Sequence, residues 1–325
     1  MWSQESSPHV STWTNHDKSV IALAFLIGVY VVILILVGWV SVHPFRTPSF
    51  LSPAQLGVKQ EAVEFPSDGN LLRGWWCPAE NPTAVVIFAH GYMMNRSEMV
   101  PEMFELWKRG VSCLLFETRA HGRSGGKVCT IGNLERRDIA AAVAYAKLRS
   151  PGVKVGAVGS SMGSAAIALA LGENPHMLDV AVLDSAYSRL PSAILGWWRF
   201  LGGEALKNLL SPTVLVAWPL VGFNPYKIDV AKALTRVEVP LLFMHGDSDS
   251  LALPSEAKRN FEAAAGPKTI VWFERCGHSE GRWEQAPKYH VALIGFFEAY
   301  GFFRPLTTTD EPEADGETRV KIAKE

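Results

Sequence analysis

The hydrophobic and polar positions of this chain alternate in blocks that predict a layered α/β fold. Short apolar runs are separated by longer segments with helical periodicity, so we interpret the runs as strands and the longer segments as helices. Apolar runs without internal alternation are typical of a parallel sheet that is buried on both faces. The predicted strands are 84–90, 111–117, 154–160, 179–185, 240–246 and 268–274, and the predicted helices are 98–110, 133–150, 162–173, 254–265 and 285–301.

The first apolar block is longer than a strand or a buried helix needs. Residues 20–40 contain no charged or amide side chain, and a helix of that length spans roughly 31 Å, about the thickness of the hydrocarbon core of a bilayer. A cleaved signal peptide has a shorter apolar region and a small-residue cleavage site, which this segment lacks. We therefore predict an uncleaved single-pass transmembrane helix over 20–41. One basic residue, Lys18, precedes this helix, and two, Arg46 and Lys59, follow it. A difference of one positive charge is too small to predict the orientation of the helix in the membrane.

Changes in composition divide the rest of the chain. A short N-terminal segment (1–19) precedes the predicted membrane helix, and a linker rich in Pro and Ser (42–60) follows it. A folded α/β domain is predicted over 61–304. Within it, residues 186–238 are apolar and interrupted by Pro and Gly, which indicates a helical lid insert. Residues 305–325 contain almost no apolar side chains and are predicted to be disordered.

The charge balance gives no reason to expect a nucleic-acid partner. The formal net charge is −1, whereas nucleic-acid binding usually needs a basic surface. The cysteines form no CxxC pair and no zinc-ligand spacing, so we expect core or near-surface thiols rather than a disulfide or a metal site. They are Cys77, Cys113, Cys129 and Cys276.

The sequence VGSSMG contains the first indication of chemistry. Gly159, Ser161 and Gly163 match the pattern G-x-S-x-G between a predicted strand and a predicted helix, which is the context of a nucleophile elbow. Small flanking residues let the strand and the helix approach each other, and the turn exposes the serine hydroxyl. Ser160 does not fit, because Met162 stands where the second glycine would be. A purely structural strand-to-helix turn is the alternative interpretation.

The loop after the predicted strand 84–90 is expected to complete an oxyanion hole. A His-Gly pair follows this strand, and such a loop holds backbone N–H groups over the nucleophile. We expect the N–H of Met162, the residue after the serine, and the N–H of Tyr92 to stabilise the oxyanion. His90 is expected to shape the loop rather than to take part in the chemistry.

A base and an acid follow Ser161 in the order that this fold class requires. His278 lies in a glycine-flanked loop after the last predicted strand, and a histidine can take and return a proton near neutral pH. Two carboxylates, Asp247 and Asp249, follow the strand 240–246. One of them would orient the imidazole and stabilise its charged form. Together these groups predict a Ser-His-Asp triad.

Residues 61–304 resemble the α/β-hydrolase superfamily, and within it the serine aminopeptidase-like and acylglycerol lipase-like group, which includes members with a single membrane anchor. The motifs that carry the resemblance are HGYMMNRSEM, FETRAHGRSGG, GSSMG, HGDSDSLALP and CGHSEG. The resemblance implies an α/β-hydrolase fold: a mostly parallel central sheet with helices on both faces and a helical lid, here preceded by one transmembrane helix.

The same resemblance bears on the choice of the acid. It implies Asp249, which stands three residues after the glycine of the family's H-G-x-x-D motif, rather than Asp247. Asp184, at the end of the strand before the lid, is the alternative, because some hydrolases of this fold carry their acid there. Glu117 and Ala120 depart from the family's D-x-R-G-H-G-x-S segment, which shapes the site more than it takes part in the chemistry.

These expectations describe a membrane-anchored serine esterase or lipase that works through an acyl-enzyme. No metal or organic cofactor is expected, and the substrate is expected to be a small-molecule or lipid acyl ester, since the lid is apolar. One alternative is an aminopeptidase-type amidase on the same triad, although Glu204 is an isolated acid in the lid. The other is a non-catalytic, membrane-tethered binding module. The leaving group, the acyl chain length, the side of the membrane and the oligomeric state stay open.

Overall fold

Eight strands form one sheet at the centre of the computed structural model, which describes residues 14–303. The strands are β1 (Glu61–Ser67), β2 (Asn70–Cys77), β3 (Ala84–Ala89), β4 (Ser112–Glu117), β5 (Lys154–Ser160), β6 (Val180–Asp184), β7 (Leu241–Gly246) and β8 (Lys268–Phe273). Their order across the sheet is β1-β2-β4-β3-β5-β6-β7-β8. β2 is antiparallel to β1 and β4, and the other neighbouring strands are parallel. The predicted mostly parallel sheet is therefore confirmed. The predicted polar tail, 305–325, lies outside the described residues.

Helices cover both faces of this sheet. The α-helices of the described residues are α1 (Asn15–Val42), α2 (Val100–Trp107), α3 (Glu135–Arg149), α4 (Met162–Glu173), α5 (Leu190–Leu210), α6 (Thr213–Val221), α7 (Val230–Leu234), α8 (Pro254–Ala263), α9 (Gly281–Glu284) and α10 (Ala286–Ala299). Side chains alternate between the two faces along a strand. β3 accordingly sends Val85, Ile87 and Ala89 into a core shared with α3, α4 and α7, and Val86 and Phe88 into a second core shared with α2 and α10.

The N-terminal helix α1 begins before the predicted start at residue 20 because its first turn is capped. The Asp17 N–H donates to Thr14 Oγ1 (3.2 Å), and the Thr14 N–H donates to Asp17 Oδ2 (3.0 Å). This reciprocal pair is a capping box, which satisfies N–H groups that the helix leaves unpaired. By length and composition, α1 is able to cross a membrane.

The C-terminal half of α1 has one covered face. Its buried residues Leu34, Gly38 and Val42 are spaced four apart, so they lie along one side of the helix. That side lies against α6: a Cβ atom at Gly38 would be 3.2 Å from side-chain atoms of Val216 and Leu220. The two helices therefore approach closely, and the rest of α1 leaves its apolar side chains exposed.

The lid consists of α5 and α6. α5 is bent where Gly202 and Gly203 leave helical geometry, and Gly203 has a φ of 67°, which a glycine adopts without steric cost. α7, the last helix of the predicted insert, instead packs in the main core beside α4. The lid proper therefore ends before the predicted insert does.

The chain between α1 and β1 is docked on the domain. The guanidinium of Arg46 donates to the carbonyl oxygens of Gly122 (2.9 Å), Ser124 (2.6 Å) and Gly126 (2.8 Å). Charge-assisted hydrogen bonds of this kind are stronger than neutral ones. The segment predicted as a linker, 42–60, therefore fixes the end of α1 against the loop that follows β4.

Candidate active site

A strained turn between β5 and α4 presents Ser161 at the carboxyl end of the sheet. The Ser161 backbone has φ 49° and ψ −109°, a combination that non-glycine residues rarely adopt. The Ser161 N–H donates to the carbonyl oxygen of Asp184 (2.8 Å), which ties the turn to β6. This geometry is that of a nucleophile elbow.

Two glycines flank the turn because side chains would collide there. A Cβ atom at Gly159 would stand 2.5 Å from the nitrogen of Ser164, and one at Gly163 would stand 2.1 Å from the oxygen of Ala89. The neighbouring Ser160 is turned to another partner, since its hydroxyl donates to Glu98 Oε1 (2.8 Å). The two adjacent serines therefore have separate partners.

His278 connects Ser161 to Asp249. The His278 Nε2 atom lies 2.8 Å from Ser161 Oγ, and the His278 Nδ1 atom lies 2.7 Å from Asp249 Oδ2. The three groups stand in loops or turns after β5, β7 and β8, so three separate strands position them. The structure thus brings together the hydroxyl, the imidazole and the carboxylate that the sequence predicted, in the series that Ser-His-Asp hydrolases use.

The Asp249 carboxylate is held in one orientation. Its Oδ1 atom accepts the N–H groups of Leu251 (2.8 Å) and Ala252 (2.9 Å), and the side chain is buried. His245 lies 3.5 Å from Asp249 Oδ2, but burial lowers the pKa of His245 and its Nε2 atom lies 2.7 Å from the Ala252 oxygen. His245 is therefore neutral and donates to Ala252, so the negative charge of Asp249 interacts with His278.

The other two candidate acids have different partners. Asp184 Oδ2 accepts from the guanidinium of Arg282 (2.6 Å). Asp247 is exposed, and its Oδ1 atom accepts the N–H of Arg275 (2.7 Å). Among the described residues, neither acid forms a hydrogen bond with His278, so the geometry favours Asp249 as the predicted acid.

The N–H groups of Tyr92 and Met162 are free to serve as an oxyanion hole. In the part of the chain that the structure describes, neither donates to another group. The N–H of Gly91, by contrast, is occupied, because it donates to Glu98 Oε2 (2.7 Å). Met162 is the first residue of α4, where N–H groups lack partners within the helix and the helix dipole favours negative charge.

Two buried histidines fix the loop after β3. His90 Nδ1 lies 2.7 Å from the Gly91 oxygen, and His90 Nε2 accepts the N–H of Thr118 (3.1 Å). His121 Nε2 accepts the N–H of Met93 (3.3 Å). Burial lowers the pKa of His90 to about 4, and burial together with the neighbouring His90 lowers the pKa of His121 to about 3. Both rings are neutral at pH 7 and act as fixed hydrogen-bonding groups.

A buried ion-pair network beneath the elbow was not predicted from the sequence. Glu98 accepts from the N–H of Gly91, the hydroxyl of Ser160 and the guanidinium of Arg282 (3.1 Å). Burial opposes the charge of Arg282, but Asp184 and its neighbours outweigh this effect and raise the Arg282 pKa well above its usual value. The motif HGYMMNRSEM includes Glu98, but nothing in its spacing indicates that Glu98 pairs with Arg282, which lies in none of the motifs.

Ser161 and His278 line a cavity of about 300 Å³ with a mostly apolar wall. Ile194, Trp197 and Trp198 of the lid line one side of it. Ser41, in the last turn of α1, also lines this cavity, which the sequence did not predict. Further apolar and aromatic contributions come from Tyr92, Ile131, Tyr187, Leu251 and Trp283.

The described residues contain no group of three or more His, Cys, Asp or Glu side chains arranged to hold a metal ion. Each of the four cysteines is buried and free. Cys129 lies beside the elbow, where its Sγ atom is 3.5 Å from Met162 Sδ.

Comparisons with known proteins agree with this fold. Residues 80–223 match the family model described as serine aminopeptidase, S33. An esterase from Pyrococcus furiosus superposes with a TM-score of 0.67 and 25% identity, covering 80% of this chain and 98% of that one. The uncharacterized protein YfhR from Salmonella typhimurium is 24% identical over 300 residues, 87% of this chain and 97% of the relative. A monoacylglycerol lipase from Mycolicibacterium smegmatis is 25% identical over 206 residues, 54% of this chain and 74% of the relative.

The sheet order, the elbow turn, the helical lid and these similarities agree with one another. The chain has an α/β-hydrolase fold, and the proteins it is similar to include an esterase and a monoacylglycerol lipase.

Proposed function

We propose that this protein is a membrane-anchored serine hydrolase that cleaves acyl esters. The observation that carries the proposal is the series from Ser161 Oγ through His278 to Asp249, with distances of 2.8 and 2.7 Å, at the base of an apolar cavity. A hydroxyl in this arrangement is activated for attack on an acyl carbonyl.

The proposed reaction has two steps that share one base. Ser161 Oγ attacks the ester carbonyl while His278 Nε2 takes the hydroxyl proton, and the N–H groups of Tyr92 and Met162 bind the oxyanion. The bond to the alcohol breaks as His278 returns the proton to the leaving oxygen. Water then attacks the acyl-enzyme with His278 again as the base, which releases the acid and restores Ser161. Asp249 holds the imidazole in the required tautomer throughout.

Esters are favoured over peptides by the state of the acids that line the cavity. A subsite for a peptide amino terminus needs a carboxylate that is available to the substrate. Glu98 is instead bound to Arg282, Ser160 and Gly91, and Glu280 accepts the N–H of Gly277 (2.6 Å). An esterase and a monoacylglycerol lipase among the similar proteins support the same choice.

The membrane anchor is part of the proposal. α1 is long and apolar enough to cross a bilayer, and most of its large apolar side chains are exposed. Exposed apolar surface on this scale indicates contact with a membrane or another protein. We assign α1 to the membrane because its uncharged apolar stretch, residues 20–40, matches the thickness of the bilayer core.

Labelling with a fluorophosphonate probe tests the proposed nucleophile. The full chain in detergent should form a covalent adduct, the Ser161→Ala variant should form none, and Ser160→Ala should be labelled like the wild type. An adduct on all three proteins, or none on the folded wild type, would show that Ser161 is not an activated serine.

A substrate panel distinguishes the aminopeptidase-type alternative, which the S33 family description favours. We expect hydrolysis of p-nitrophenyl esters and monoacylglycerols, and little hydrolysis of aminoacyl amides. A preference for aminoacyl amides that disappears in Ser161→Ala would support the amidase instead.

A further inference from the structure

An apolar groove of about 380 Å³ lies beside the active-site cavity, between α1 and the lid. We call it the α1 groove. One side of it is formed by the last turns of α1 and the residues that follow them, and the other side by α5 and the loop after β3. Its lining residues are Leu36, Val37, Val40, Ser41, Pro44, Phe45, Tyr92, Met93, Trp197, Trp198 and Leu201.

The α1 groove and the active-site cavity share a wall. Ser41, Tyr92, Trp197 and Trp198 line both spaces. The Tyr92 hydroxyl donates to the Ser41 oxygen (2.7 Å), and the Tyr92 ring meets Trp197 edge to face with centroids 5.4 Å apart. The barrier between the two spaces is therefore a few side chains thick, and one of its members supplies the proposed oxyanion N–H.

The two hydroxyl groups and the Trp198 indole of this wall are already paired. The Ser41 hydroxyl donates to the Val37 oxygen (2.7 Å), and the Trp198 indole N–H donates to Thr213 Oγ1 (2.9 Å). Together with the bonded Tyr92 hydroxyl, these contacts leave hydrocarbon and aromatic surface for a ligand. Such a surface binds an aliphatic chain rather than a polar head group.

The outer end of the α1 groove opens onto the exposed apolar surface of α1. Leu36, Val40 and Leu201 line the groove and are 58%, 45% and 54% exposed. The same surface continues along the helix that we assign to the membrane. A chain that leaves the bilayer beside α1 can therefore reach the groove without crossing water.

We propose that the α1 groove binds the acyl chain of an ester that resides in the bilayer, so that α1 forms one wall of the substrate site as well as an anchor. This inference rests on the proposed ester hydrolysis. The ester carbonyl lies at Ser161, and the distal part of a long acyl chain passes Tyr92 and Trp197 into the groove. Short acyl chains end within the cavity and do not enter the groove.

The proposal predicts a dependence on chain length. Burial of a methylene group contributes at most about a fourfold gain in kcat/KM, from roughly 0.8 kcal/mol. Esters with long acyl chains should therefore be preferred over acetates, and the preference should depend on the shape of α1 near its C-terminal end.

Two matched substitutions on α1 test this dependence. Val40→Trp fills the α1 groove, whereas Val32→Trp makes the same change at an exposed position (54%) that lines neither space. The full chain in phosphatidylcholine nanodiscs would be assayed with acetate, butyrate, octanoate and laurate p-nitrophenyl esters. We expect Val40→Trp to lower kcat/KM for laurate about tenfold or more and to leave acetate within twofold, and Val32→Trp to change neither. Equal chain-length preference in all three proteins would overturn the inference and leave the esterase proposal intact.

A labelling experiment separates this site from the catalytic activity. The Ser161→Ala variant in nanodiscs would be incubated with a laurate ester that carries a diazirine near the end of its acyl chain, irradiated and digested. Label in the peptides containing residues 36–45 or 197–201, lost in the Val40→Trp background, supports the site. Label confined to other peptides, or a groove covered by a second copy of the chain in cross-linked dimers, would overturn it. Because this readout needs no turnover, it decides the site even if the wild type hydrolyses no ester.

Discussion

The two sides of the active-site cavity are built in different ways. On the side of the sheet, hydrogen bonds fix each polar group: Asp249 accepts two backbone N–H groups and His278, and Glu98 joins three partners. On the side of the lid and α1, helices meet mainly through apolar side chains and the close approach at Gly38. The difference indicates that the chemistry and the choice of substrate depend on separate parts of the molecule. Substitutions on the first side should change turnover for every ester, and those on the second should change the order of preference among esters.

The largest effect is expected at the acid. Asp249→Asn keeps the shape of the side chain but removes the charge that fixes the His278 tautomer, and we expect kcat to fall about 10⁴-fold. The fall should be the same for short and long acyl chains. Steady-state kinetics with acetate and laurate esters would measure it.

Asp247→Asn is the matched control for this substitution. Asp247 is two residues away and exposed, and it binds a turn at Arg275 rather than His278. We expect its kcat to stay within about threefold of the wild type, since surface substitutions rarely have large effects. A larger loss in Asp247→Asn than in Asp249→Asn would reverse the assignment of the acid.

A smaller effect is expected at Glu98, which we describe as a positioning residue. In Glu98→Gln, an amide replaces the carboxylate that now accepts three hydrogen bonds, and its NH₂ group cannot accept them. The loop that carries the Tyr92 N–H should therefore lose its fixed position. We expect kcat to fall by up to about 10²-fold, the lower end of the effect of losing one oxyanion-hole donor.

The readout for Glu98→Gln is kcat against KM, with Glu105→Gln as the control. Glu105 lies on α2, which directly follows the turn that carries Glu98, but it forms surface ion pairs with Lys108 and Arg109, and such pairs contribute little to stability. A fall in kcat with little change in KM indicates that the oxyanion loop has moved. Equal behaviour of the two variants would show that Glu98 has no role in positioning.

The same contrast explains what the sequence could predict. The elbow serine, His278 and the acids stand at strand ends in motifs with fixed spacing, because a strained turn or a triad needs particular residue types at particular places. Sequence reasoning could therefore name Ser161 and the order of its partners. It could not predict that Glu98 and Arg282 pair beneath the elbow, because the two residues lie far apart in the chain.

The wall that α1 and the lid form could not be predicted from the sequence, for a different reason. Apolar packing between α1 and the lid has no fixed spacing, so the presence of Ser41 in the cavity depends on how two distant helices meet. Gly38 resembles any glycine in an apolar helix until its contacts with Val216 and Leu220 are known. The segment 42–60 resembles a free linker for the same reason, although Arg46 anchors it through backbone carbonyl groups that leave no pattern in the sequence.

Two glycines on α1 test the side of the cavity that is formed by the lid and α1, and the expected effect is moderate. Gly38→Leu forces a side chain into the contact with α6, whereas a Cβ atom at Gly28 meets nothing within 4 Å. We expect Gly38→Leu to displace the lid and lower kcat/KM for laurate about fivefold, equivalent to about 1 kcal/mol of overpacking strain. Acetate should change less, and Gly28→Leu should match the wild type for both esters. A uniform loss for both esters in Gly38→Leu would mean that the lid also supports the triad.

The last effect concerns stability rather than turnover, and it belongs to the polar side. The unfolded chain protonates its histidines as the pH falls through about 6.5, whereas the buried His121 resists protonation until about pH 3. Between these values the unfolded state binds more protons, so His121 removes up to about 1.4 kcal/mol of stability for each unit of falling pH. Burial raises the pKa of Glu102 to about 7, which acts in the opposite direction. The comparison must therefore be made between two proteins that share Glu102.

His121→Gln is the appropriate variant, because its amide oxygen can accept the Met93 N–H that His121 Nε2 now accepts but does not titrate. Melting temperatures of the wild type and the variant would be measured from pH 8 to pH 4.5. Near pH 8 the wild type should be equal or more stable by a few degrees, since its hydrogen bonds are native. Below pH 6.5 the wild type should lose stability relative to the variant, because the variant no longer carries the proton-linked cost. Curves that stay parallel across this range would mean that His121 is already accessible to protons in the folded protein, and that the loop behind the oxyanion hole is less rigid than its hydrogen bonds indicate.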